Sequence, residues 1–143
     1  MVRRTPTGSL EEIFRSAAAQ LVDEEEQSAT VAEALGYLQQ GFDAHYAKNG
    51  AGATDDDILV GDNAYAWAVE TIARLDEPRF VAVASRMIRD GAGEISARKD
   101  VRLDLWVPHL ADLLQIISGE DTETSQRRIR QAMEQLQISE EAP

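Results

Sequence analysis

The stretch Ile58–Leu75, ILVGDNAYAWAVETIARL, decides how this sequence is read. Most surface helices show one apolar stripe and one charged face. Between Asn63 and Val69 this stretch instead carries alanines, Tyr65, Trp67 and Val69 around its whole circumference, and no charge appears until Glu70. A helix apolar all round has to be covered on all sides, so the pattern predicts the central helix of an all-α domain, spanning about residues 55–75. Tyr65, Trp67 and Val69 are then candidates for an interface between helices or between chains. Ile58, Asp62, Tyr65, Val69 and Ile72 share a face at helical spacing, so Asp62 is expected to point toward packed neighbours and to need a hydrogen-bond partner.

Immediately upstream stands Thr54-Asp55-Asp56-Asp57. Three adjacent aspartates invite a magnesium reading. Their position just before an apolar run favours capping and charge–dipole stabilisation of a helix N-terminus. The preceding helix is expected from Thr30, in a capping box with Glu33, to about Lys48, with Gly36 and Gly41 pointing to close approach of another helix. Asn49-Gly50-Ala51-Gly52 stops it. Ser9 and Glu12 form another capping box, opening a first helix whose apolar positions run from Leu10 to Val22. The acidic run Asp23–Glu26 reads as its solvated end.

Downstream, Leu75-Asp76-Glu77-Pro78 is a tight reversal, with Pro78 suited to the first turn of a helix carrying Phe80, Val83, Met87 and Ile88 on one side. Gly91-Ala92-Gly93 is expected to loosen that helix. Leu103 to Ile117 is again helical, interrupted by Pro108, which leaves two options: a kink, or a short turn before a helix starting near Pro108. Ser118-Gly119 ends it, and Asp121 or Thr122 caps a last helix. Six helices, no strand pattern and no fixed repeat make the fold class all-α, an antiparallel bundle. Residues 1–8 read as a flexible lead, 9–139 as one helical domain and 140–143 as a frayed end.

Composition limits the function. Twenty-six acidic residues face fourteen basic ones, only Lys48 and Lys99 of them lysines, for a formal net charge of −12. Nucleic-acid affinity draws mostly on clustered Lys and Arg, so a nucleic-acid binder is not expected. An acidic, lysine-poor surface fits a salt-adapted, halophilic source. There is no cysteine, no apolar run long enough for a membrane span, and no apolar segment behind the basic start, so a cytoplasmic location is expected. His45 and His109 are the two histidines, in no metal motif, and no phosphate-binding glycine loop is present. No catalytic, cofactor-binding or metal-ligating constellation stands out, which leans against an enzyme and leaves the question open.

Val60-Gly61-Asp62, Ala66, Ala68, Ile72-Ala73-Arg74-Leu75, Asp76, Pro78 and Gly93-Glu94 resemble the middle of the trans-isoprenyl diphosphate synthases, the polyprenyl synthetase family. The resemblance covers about forty of 143 residues and implies part of the isoprenoid synthase fold. Where that family carries its magnesium-binding DDxxD, this chain has Gln40-Gly41-Phe42-Asp43-Ala44-His45-Tyr46, keeping at most Asp43. The family's arginine pair and its Lys-Thr are absent, from Ala47-Lys48-Asn49-Gly50 and from the region of Pro108-His109. Ionising a diphosphate needs several positive charges on the leaving group, which one aspartate cannot assemble.

The resemblance therefore implies a non-catalytic scaffold. It would act by association, as a homodimer or as the small partner subunit of a prenyl diphosphate synthase. One alternative is a small binder or enzyme of isoprenoid or other apolar ligands, using an interhelical pocket near Asp43, His45 and Asp62, and Mg2+ only in that case. An unrelated helical bundle is the other.

Overall fold

The computed structural model describes residues 9–21, 24–45, 54–96 and 103–141. Six helices follow one another: α1 (Leu10–Ala18), α2 (Glu25–His45), α3 (Asp55–Ala73), α4 (Pro78–Ser96), α5 (Val107–Ser118) and α6 (Thr122–Glu141), with a 3-10 turn at Leu103–Leu105 before α5. No strand occurs among the described residues, and the fold is all-α. The lead at 1–8, the glycine loop at 49–52 and Ala97–Asp100 lie outside the described residues.

Local chemistry sets the helix starts. Ser9 Oγ accepts from Glu12 N at 3.2 Å while Glu12 Oε1 accepts from Ser9 N at 3.1 Å, closing the capping box of α1. Thr54 and Asp57 do the same for α3, at 3.1 and 3.0 Å. The aspartate run thus satisfies donors at a helix end, and Asp55 and Asp56 stand in the same first turn, on the positive end of the helix dipole. α2 departs from the expectation. It begins at Glu25, so Thr30 lies inside it, donating from Oγ1 to Glu26 O at 3.0 Å. Glu25 and Glu26 of the acidic run open α2 rather than closing α1, because carboxylates are favoured in a first turn. Asp76 takes a left-handed φ of 54° in the reversal after α3, and Pro78 is the first residue of α4. Pro108 sits in the first turn of α5, where a missing N–H leaves no bond unmade, so the helix is not kinked. Gly119 closes α5 with φ 75°, and Asp121 Oδ1 accepts from Thr124 N at 2.7 Å to cap α6.

Each helix packs on the next, and α1 returns to α6 to close the bundle. The centre belongs to α2 and α5. α2 touches α1, α3, α4 and α5, whereas α5 touches α1, α2, α4 and α6. Leu10, Ile13, Phe14, Leu35, Leu38, Phe80, Met87, Leu110, Leu113, Leu114 and Ile129 are buried between them. At one end Phe42 and Trp106 stack at 4.8 Å, on a seat left by Gly91, where a Cβ would come within 2.9 Å of both rings. Gly91 therefore makes room for a packed pair, and α4 continues past it to Ser96.

The central placement expected for residues 55–75 is not what the chain adopts. α3 touches only α2 and α4 among the described elements. Its inner face is Gly61, Ala64, Tyr65, Ala68, Thr71 and Ile72, at i, i+3, i+4, i+7 spacing. Its outer face leaves Leu59 69 %, Val60 61 %, Trp67 45 % and Ile58 42 % exposed. The alanines and Gly61 serve close approach to one neighbour instead of burial all round. A Cβ on Gly41 would lie 3.2 Å from Gly61 O, and one on Gly61 would lie 3.1 Å from Gly41 O, so the two helices meet backbone to backbone there.

Candidate functional site

The seam between α2 and α3 gathers two of the three residues expected to line a pocket. His45, in the last turn of α2, places Nε2 3.1 Å from Ile58 O and 3.2 Å from Asp62 Oδ1. Both neighbours are acceptors, so Nε2 carries the proton and donates. The His45 ring fills the space that a Gly61 side chain would take, and it packs against Tyr65 with centroids 5.0 Å apart. Asp62 therefore has His45 as a close neighbour, but its side chain is 62 % exposed and is not turned into the packed face as its position led us to expect. Asp43 does not join them. It is exposed and accepts from Gln39 Nε2 at 3.2 Å, while Gln39 Oε1 accepts from Leu10 N. Asp43 thus faces the α1 side of α2, a little over half a turn's rotation, about 200°, away from His45.

The three interface candidates separate as well. Tyr65 is buried, with its hydroxyl lacking a hydrogen-bond partner among the described residues. Burial, and secondarily the charge of Asp62, push its pKa up to about 12, so it stays neutral through the physiological range. Val69 is half-buried, and Trp67 is exposed. Trp67 lies along Tyr37 of α2, with ring centroids 6.3 Å apart and planes 30° from parallel.

Two other features could carry chemistry. His109 Nε2 lies 2.8 Å from Asp90 Oδ2, joining α5 to α4. Burial opposes the charge on Asp90, yet the hydrogen bond from His109 and the neighbouring Arg89 outweigh it and hold the carboxyl below its ordinary range. The other ring nitrogen, Nδ1, is buried and has no partner among the described residues. A groove of about 460 Å³ between α4 and α5 is lined by Arg79, Arg86, Asp112 and Ile116, among others. Arg86 faces Asp112 at 3.6 Å and Arg79 bonds Glu77 at 3.0 Å, so both cations are compensated within the chain. Among the described residues no group of three or more His, Asp or Glu could hold a metal ion, and no helix is long and apolar enough to cross a membrane.

What remains is the outer face of α3. Leu59, Val60, Asn63, Ala66 and Trp67 recur at spacings of three and four, a stripe running about two turns along the helix. Sequence reasoning missed Leu59 and Val60 as surface residues. The signal was present: Gly61, Ala64 and Ala68 mark the close-approach side, and Leu59, Val60 and Trp67 fall opposite.

No family model, curated protein or solved structure matches this chain. The site has to be read from its own chemistry.

Proposed function

We propose that this chain acts by association, as a non-catalytic helical protein that meets a partner through the outer face of α3. One observation carries the reading: Leu59, Val60 and Trp67, all large and apolar, are exposed side by side on a helix whose other face is fully packed. Contiguous exposed apolar patches mark interaction sites on soluble proteins far more often than scattered single residues do. Trp is also among the residues that most often dominate binding energy at interfaces. Trp67 is half-fixed by Tyr37, which lowers the cost of ordering it on contact.

Kinship to the trans-isoprenyl diphosphate synthases is part of this proposal and is supported by sequence resemblance over about forty residues, above all the Val60-Gly61-Asp62 phrase. It offers one partner class to try, a catalytic prenyl diphosphate synthase subunit. The reading as a small-ligand binder at Asp43, His45 and Asp62 has less support, because Asp43 is engaged by Gln39 while the other two pair with each other.

Sedimentation of the wild type from about 1 to about 100 µM, alone and with a candidate subunit, tests the reading, with Leu59→Ser and Trp67→Ser as controls. The expected result is a complex that both substitutions abolish while helicity is unchanged. Complexes that form equally well with both variants would overturn it.

A further inference from the structure

The charge surrounding α3 identifies the kind of partner, an inference that rests on the association reading. Ten acidic residues and one lysine lie between positions 24 and 73. Helices α2 and α3 themselves contain no lysine or arginine. At 3.6 residues per turn, Asp56 stands one turn before the apolar stripe, Glu70 one turn after it, and Asp62 on its flank. Arg74 reaches Glu70 at 3.4 Å and His45 holds Asp62, so those two charges are partly answered. Asp55 and Asp56 are exposed and have no ion pair among the described residues. The stripe is thus apolar in the middle, and at the α3 N-terminal end it is flanked by two exposed carboxylates that the helix dipole favours and that no cationic side chain among the described residues pairs.

A second copy of the chain is a poor match for such a face. Antiparallel pairing of two α3 helices about Asn63 would set Asp56 of each copy against Glu70 of the other, between two proteins of net charge −12 each. We infer that the outer face of α3 docks an amphipathic helix of another protein, its apolar stripe laid over Leu59, Val60 and Trp67 and its flanking lysines or arginines over Asp55 and Asp56. Helix-on-helix docking of this kind takes affinity from the apolar stripe, and it takes orientation and on-rate from the charges.

The probe is a synthetic helix of about 18 residues, five turns, with a leucine stripe framed by lysines; its twin carries glutamates in their place. Each is titrated against the whole protein at low and at high salt. The lysine-framed helix is expected to bind at least tenfold more tightly than its twin and to weaken as salt rises. Leu59→Ser should lower its affinity at least tenfold. Asp55→Asn with Asp56→Asn should lower it and flatten the salt dependence. Equal affinity for the two helices would overturn the inference, as would undiminished binding to Leu59→Ser, which would mean charge alone. Self-association abolished by Leu59→Ser, with neither helix bound, would overturn the basic partner yet leave the association reading standing. No complex of any kind would sink both.

Discussion

Gly61 and Gly41 do more for this protein than any apolar residue of α3, because they let two helices touch through their backbones. Replacing Gly61 by alanine adds helix propensity of roughly 1 kcal/mol, but the new Cβ lands on the His45 ring and 3.1 Å from Gly41 O. Backbone cannot yield as a side-chain tip can, so Gly61→Ala should destabilise by about 1–3 kcal/mol in a urea melt. A gain in stability would mean that the α2–α3 crossing does not depend on close backbone approach at Gly61. Tyr65 offers the converse case. Its hydroxyl is buried without a partner, so Tyr65→Phe should be neutral or stabilising by up to about 1 kcal/mol. Asp62 was expected to hold a structural hydrogen bond from inside the packed face. Asp62 instead makes only a close contact with His45, on an exposed carboxylate, while the imidazole's hydrogen bond goes to Ile58 O, so Asp62→Ala should cost less than about 1 kcal/mol.

Asp90 sets an acid limit at the same scale. Its folded carboxyl lies below its ordinary range, so its contribution to stability is complete above the unfolded pKa and is lost as pH falls through the folded one. Asp90→Asn should therefore flatten the acid limb of the stability profile below about pH 4, leaving the neutral region unchanged in slope. A limb as steep as the wild type's would remove Asp90 from the account.

At the scale of elements, the capping chemistry of α1 and α3 was legible because it is local: an oxygen at the N-cap and a carboxylate three residues on. Ser9 with Glu12 and Thr54 with Asp57 needed nothing from the rest of the chain. Thr30 and Glu33 carry the same signature inside α2, where Thr30 bonds back to Glu26 O instead. The box is a permission, and the burial of Val31, Ala32, Leu35 and Leu38 along a longer helix overrode it. The placement of α3 was only faintly legible, since alanine is equally at home in a covered core and on a close-approach face, and only the alignment of Gly61 with Ala64 and Ala68 tells the two apart. Thr54→Ala should cost about 1 kcal/mol by removing the cap, whereas Leu59→Ser on the outer face should stay within about 0.5 kcal/mol. Thermal melts of the two variants separate them. A large loss from Leu59→Ser would show that the face is covered within the single chain.

At the scale of the whole molecule, the all-α class and the order of six helices were readable because short connections and clean periodicity leave few alternatives. The site was only half readable. His45 and Asp62 were picked from the sequence and do meet, yet Asp43 cannot join them, because its place on α2 aims it at Gln39. The charge pattern is a property of the whole chain too: the scarcity of Lys and Arg in residues 24–73, where Lys48 stands alone against ten carboxylates, is both a source of self-repulsion and a frame for a basic partner. Exposed charges more than about 10 Å apart are largely screened at 0.1 M salt, so added salt should stabilise the free protein while weakening its hold on a basic helix.

The fluorine spectrum of protein carrying 5-fluorotryptophan tests the central claim most directly, since the chain has two tryptophans, one on each side of it. Trp106 is buried against Phe42, and Trp67 stands on the outer face of α3. In dilute free protein the Trp67 resonance, assigned by Trp67→Phe, should respond to exchange of H2O for D2O and the Trp106 resonance should not. On saturation with a partner, the Trp67 resonance should shift and lose that response while Trp106 stays in place. A Trp67 resonance already shielded in the dilute protein, or one still open to solvent in the complex, would contradict the claim that α3 is where this protein meets its partner.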